Sequence, residues 1–361
     1  MLMKISLYIL FSLPVSDTAA IGFYTSSDIS ISRMDISSYF RSIALAGAGI
    51  MAVYAAPYSL ENMVYAEDKV AADPNPPNKK NAPAEKSLEE KVVDRINHYR
   101  NIAGLDPVVL DPELSKACQA HANYLMVNDI TSRTHTSSSI HSENPKLPGY
   151  TKEGADIASQ SDIGYDIYPL ISIDSVMKTV FHRVNGILDP TVISTGIGYI
   201  SKLEKREKKE WVVIGSKSNY KKVIPNPVSF PTDGQQDVPL NYSSERPDPI
   251  PYDMDSKRGN AGFPITITFY NVNCPSQADG VLQKIKGKKK EKVDAWFYSP
   301  DAPADEEYGK NVIYLIAKDR LEPKTTYEVT VTGTLNNKPW EKTWQFTTVK
   351  QEVSDSVRPP R

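Results

Sequence analysis

The chain has 361 residues, enough for two folded domains of ordinary size plus tails. Its 42 basic and 44 acidic side chains leave a formal charge of −2, so it carries no electrostatic footprint for nucleic acid. With only two cysteines, Cys118 and Cys274, a disulfide framework and a CxxC metal site are both excluded, and the two thiols read as small buried apolar groups.

Residues 1–66 read as an export signal or a membrane-anchor segment. Lys4 precedes the apolar run Ile5–Leu13, with Ala19 and Ala20 after it. A second run, Ser42–Leu60, is uncharged, follows Arg33 and Arg41, and offers Ala56 and Ala66 to a signal peptidase; a start at Met34 would make it an ordinary signal peptide. Its length approaches the ~20 residues of a spanning helix, but its Gly and Ala content and Pro57 weaken it. Export with cleavage is the expectation, and a retained anchor the alternative. Residues 67–86, rich in Pro, Asn and Lys, cannot bury enough apolar surface to fold and are expected to be a linker.

Ser87 opens a helix, with Glu90 completing a capping box; Val92, Ile96, Tyr99 and Ala103 recur at helical spacing and Gly104 ends the run. Asn97 and Arg100 on this helix are expected to tie it to neighbouring loops. Asp111-Pro112 starts a second helix, on which Leu114, Cys118, His121 and Leu125 share a face. His98 and His121 read as structural. The polar stretch Thr131–Tyr150 predicts a long loop holding His135 and His141. A helix is predicted near Ile171–Phe181, followed by strands Thr195–Ile200 and Glu210–Gly215 joined by a charged turn. Helices on a small antiparallel sheet make 87–216 an α+β domain.

After a linker at 217–223, prolines punctuate the chain and the periodicity changes to two. Ile265, Ile267 and Phe269 point one way, as do Tyr327, Val329 and Val331, and Trp344 and Phe346, with a turn at Asn336-Asn337-Lys338. The segment LEPKTTYEVTV resembles fibronectin-like and immunoglobulin-like domains, in which a tyrosine ties down a corner before a late strand. Residues 224–350 therefore read as an all-β, immunoglobulin-like sandwich, and 351–361 as a tail. The lysine-rich stretch Lys284–Lys292 is expected to be a solvated hairpin tip, with attachment to an anionic wall polymer or lipid as the alternative.

The runs INHYRNIAGLDPVVLDPELSKACQAHANYLMVN, HSENPKLPGYTKEGADIA and FHRVNGILDPTVISTGIGYI, in that order and spacing, resemble the CAP superfamily of cysteine-rich secretory, antigen 5 and pathogenesis-related proteins, which has many bacterial members. The resemblance implies an α-β-α sandwich around a cleft holding two histidines and two acids. It assigns the histidines to His141 and His182 and one acid to Glu153, with Asp174 as the nearest candidate for the other. His135 competes with His141 for the loop position, and the family register favours His141. Such a cleft holds a divalent ion, zinc for example, in some family members. The expected function is a non-enzymatic binding protein, secreted or on the cell surface, whose partner is an extracellular ligand or a wall or membrane surface. Two alternatives stand beside it. One is a metal-dependent hydrolase in which Glu153 takes a proton from ion-bound water. The other is a passive adhesive protein. No serine lies in a GxSxG elbow to support acyl transfer.

Overall fold

The structure is a computed structural model that describes residues 85–131, 137–204, 207–222, 227–251, 260–270 and 272–351. The signal or anchor segment, nearly all of the 67–86 linker, His135 and nearly all of the tail lie outside those residues. The described residues, 85 to 351, belong to one compact unit. Among the described residues no helix is long and apolar enough to cross a membrane.

Helix α1 (Leu88–Ile102) begins as its sequence demands: the Ser87 hydroxyl accepts from Glu90 N at 3.2 Å, and Ser87 N donates back to the Glu90 carboxylate at 2.7 Å. After the two-residue strand β1 (Val109–Leu110), Asp111 caps helix α2 (Pro112–Val127) through Glu113 N and Leu114 N, both at 3.1 Å. The expected long loop contains a short helix, α3 (Ser137–Ile140). Then come α4 (Lys152–Ala158), capped by Thr151, strand β2 (Ser161–Tyr165) and helix α5 (Pro169–Val176). Arg183–Ile187 form a π-helical turn, and strands β3 (Val192–Glu204) and β4 (Glu207–Ser218) make the predicted hairpin, longer at both ends than its apolar stretches alone.

These strands form one sheet in the order β1-β3-β4-β2, with β1 parallel to β3 and the other pairs antiparallel. Alternation along β4 separates the layers. Val212 and Ile214 share a core with Val92, Ile96 and Ile173, whereas Trp211 and Val213 share one with Cys118, Leu125 and Ile157. Helices therefore cover both faces. A Cβ on Gly198 would lie 2.2 Å from the Cys118 carbonyl carbon, so only glycine lets α2 approach β3 this closely.

The rest of the described chain is β structure: β5 (Val228–Phe230), β6 (Gln235–Val238), β7 (Ile265–Thr268), β8 (Ser276–Lys286), β9 (Lys289–Val293), β10 (Ala295–Tyr298), β11 (Val312–Ala317), β12 (Thr326–Leu335) and β13 (Lys338–Thr348). One sheet runs β10-β11-β7-β5 and the other β6-β13-β12-β8-β9. Ile265, Ile267, Tyr327, Val329, Val331, Trp344 and Phe346 are all buried in a shared core. Asn336 and Asn337 both take positive φ, as a two-residue hairpin turn requires. Glu322 N donates to the Tyr327 hydroxyl at 2.8 Å, tying down the corner before β12. The lysine-rich stretch forms the β8–β9 hairpin, and a single residue, Asp294, separates β9 at the edge of one sheet from β10 at the edge of the other.

The four-stranded sheet is covered on both faces. All six residues of β11 and all four of β7 are buried. Val312, Tyr314 and Ile316 pack with Val180, Phe181 and Val184, so the outer face lies against the α+β half of the molecule.

Candidate functional site

The chain from Met177 to Leu188 links α5 to β3 and carries His182. Its turn at 177–180 leaves the N–H groups of Val180, Phe181 and His182 without helical partners, a local concentration of donors. Glu245, from the proline-rich segment after β6, supplies the acceptor. Its carboxylate takes Val180 N at 2.6 Å, Phe181 N at 2.9 Å and His182 N at 3.2 Å, and meets His182 Nδ1 at 2.9 Å. The Glu245 side chain is 1% exposed. Burial works against an imidazolium at His182, but the Glu245 hydrogen bond and the charges of Asp162 and Glu245 outweigh it and lift its pKa to about 9. The pairing with Glu245 therefore favours the protonated imidazole at neutral pH, and a role as base or metal ligand would require that proton to leave.

Asp162, near the start of β2, is the carboxylate that feels the charge of both sequence-predicted histidines. Burial holds its carboxyl above the usual carboxylate range, opposed by the fields of His182 and His141 and reinforced by that of Glu245. A Cβ on Gly186 would come 2.5 Å from Asp162 Oδ2, so glycine is what allows the carboxylate to lie against this backbone. His141 holds Nδ1 2.9 Å from the Ala158 carbonyl, at the end of α4. Beside Asp162 lies a cavity of about 10 Å³, lined also by Arg100, Thr195 and Ser216. That volume admits about one water and no organic ligand.

Two of the predicted residues stand apart from this cluster. Glu153 is exposed in the first turn of α4 and makes no hydrogen bond to either imidazole. Asp174 faces α1: Arg95 donates to it through Nε and Nη2 at 2.6 and 2.9 Å, and the Tyr99 hydroxyl at 2.8 Å. The predicted trio of His141, Glu153 and His182 is therefore replaced by His141, Asp162, His182 and Glu245. Both imidazoles have Nδ1 engaged by a carbonyl or a carboxylate, the outer-shell arrangement that leaves Nε2 for an ion. The third donor is what fails. Among the described residues no three His, Cys, Asp or Glu side chains are grouped so that they could hold a metal ion.

Asn97 and Arg100 bond to backbone. Asn97 donates to Val108 O at 2.9 Å and accepts from Val108 N at 2.8 Å. Arg100, fully buried, donates to the carbonyls of Asp106, Ile187, Asp189 and Val192 at 2.8–3.2 Å. His121 is also buried: Nδ1 lies 2.9 Å from Glu143 and Nε2 2.8 Å from the Ile140 carbonyl, while the other Glu143 oxygen takes Thr151 N at 3.0 Å. With an acceptor at each ring nitrogen, this pair fastens both ends of the 140–151 segment to α2.

Sequence reasoning missed Asp162, Glu143 and Glu245. Asp162 lies in a five-residue strand without strict alternation. Glu143 and Glu245 pair with residues 22 and 63 positions away, separations that no spacing rule flags.

No curated protein matches the chain. Among solved structures, one titled "Crystal Structure of MpPR-1i" is 17% identical, and the match covers 37% of this chain and 91% of that one. Its TM-score of 0.26 carries no weight for the fold. Residues 93–214, which hold α1 to β2, the two histidines and most of the β3–β4 hairpin, match the cysteine-rich secretory protein family, and over that stretch the chain carries a CAP domain.

Proposed function

We propose that this chain is an exported protein of bacterial type that works by binding, at the cell surface or outside the cell, and performs no chemistry of its own. The supporting observation is the commitment of His182. The imidazole that a hydrolase would use as ligand or base has its Nδ1 and its backbone N–H taken by Glu245, a pairing that favours the protonated ring. The secreted character of CAP-domain proteins supports export, as do the apolar runs before residue 66. The β region is read as immunoglobulin-like, on its two apolar-faced sheets and the Tyr327 corner.

The test is two measurements on one preparation. Cell fractionation and amino-terminal sequencing are expected to find a mature product outside the cytoplasm that begins after Ala56 or Ala66. An uncleaved cytoplasmic product would overturn export. Hydrolysis of model esters and peptides, with and without added zinc, is expected to stay at background. Turnover that rises with zinc and disappears in His141→Ala would restore the hydrolase reading.

A further inference from the structure

Each of four consecutive residues of the CAP domain, Phe181 to Val184, makes at least one contact with the β region. The Phe181 ring lies 5.9 Å from that of Tyr308 and 5.8 Å from that of Tyr314. His182 meets Glu245 through both its ring and its backbone. The Arg183 guanidinium lies over the rings of Phe230 and Phe263 at 5.2 and 5.1 Å, and donates to Pro264 O at 3.0 Å and Thr266 Oγ1 at 3.1 Å. The Val184 carbonyl accepts from the Tyr270 hydroxyl. Ser243 N returns the contact, donating to Lys178 O at 2.9 Å.

We propose that the histidine centre of this CAP domain serves as the joint between the two halves of the molecule, with Glu245 as the acceptor that fastens one half to the other. Glu245 is saturated: four donors converge on its two oxygens, so an incoming anion could displace it only by leaving it buried and unpaired, a cost of several kcal/mol. The charges of the joint also offset one another. His182 and Arg183 enter as cations, and both lie in the field of Glu245. A divalent ion at His182 Nε2 would have to expel the imidazolium proton that the pairing with Glu245 favours. The same residues that mark the family's cleft here make the β region part of the CAP domain's own interior.

The experiment is differential scanning calorimetry of the full chain, chelator-treated and then with excess zinc chloride, for the wild type, Glu245→Gln and the control Asp174→Asn. The expected wild type shows one transition, unmoved by zinc. Glu245→Gln turns a carboxylate that accepts four bonds into an amide that aims its own donors at donors. Its melting temperature should fall by roughly 5–10 °C, or its single transition should split in two. Asp174→Asn, at a residue that pairs with Arg95 and Tyr99 of α1 rather than with the β region, should shift it by much less. A Glu245→Gln trace that matches wild type overturns the proposal, as does zinc raising the wild-type melting temperature with that shift lost in His141→Ala. Because the variant could fail to fold, nitrogen NMR of the wild-type imidazoles gives a second reading. His182 should show both ring nitrogens protonated at neutral pH, with or without zinc; a zinc-dependent change at that ring overturns the joint.

Discussion

Replacing Arg100 with methionine removes the most heavily used hydrogen-bond donor of the CAP domain while keeping an unbranched side chain. The guanidinium serves four carbonyls, of Asp106, Ile187, Asp189 and Val192, and the residue has no solvent exposure. Each orphaned carbonyl costs about 1 kcal/mol or more when water cannot reach it, giving about 4 kcal/mol for the set. Part of that is returned, because burial of the cation is itself costly and pulls the Arg100 pKa down. A net loss of about 3 kcal/mol is expected. For a unit of this size it corresponds to a melting temperature lower by about 6–12 °C. Urea unfolding followed by far-UV circular dichroism measures it. Arg100→Lys should recover less than half, since one ammonium cannot span carbonyls on both the 106 loop and the 187–192 turn. A loss below about 1 kcal/mol in Arg100→Met, with an unchanged denaturant slope, would refute the idea that these loops hang on a single side chain.

Other expectations concern the histidines and the helix–sheet contact. His182 has its folded pKa raised from 6.5 to about 9, so its contribution is complete below pH 6.5 and is lost as pH climbs through 9. Allowing for partial solvent screening, the stability difference between wild type and His182→Gln should shrink by about 2 kcal/mol over that window; a difference that grows with pH would reverse the assignment. His121→Leu leaves one oxygen of the buried Glu143 carboxylate unpaired and should cost about 3 kcal/mol, with faster proteolysis in the 131–150 stretch, whereas His121→Leu with Glu143→Leu should lose less than the single change. Gly198→Ala drives a Cβ into the backbone of α2 at Cys118 and should cost at least about 3 kcal/mol by denaturant titration.

What the sequence revealed depended on whether the cause was local. Capping at Ser87 and Asp111, the helical spacing of Val92 and Ile96, and the alternation at Tyr327, Val329 and Val331 are short-range rules, and the structure has each of them. The β11 run VIYLIA was less readable: an unbroken apolar stretch fits a strand covered on both faces, but nothing in it names the covering layer. That layer is residues 180–184, more than 125 positions upstream. The site followed the same division. His141 and His182 could be singled out by their motifs, while the carboxylates around them come from β2 and from the proline-rich segment after β6. Pairings that cross from one half of a chain to the other have no period.

The step from β9 through Asp294 to β10 carries the chain from the rim of one sheet to the rim of the other. A second molecule offering a strand at the β9 rim would face Lys289, Lys290, Glu291 and Lys292, all in solvent. Ionic side chains along an open strand discourage strand addition, because the newcomer would have to dehydrate them. The β9 rim is thereby protected against polymerisation of the molecule through its own β structure.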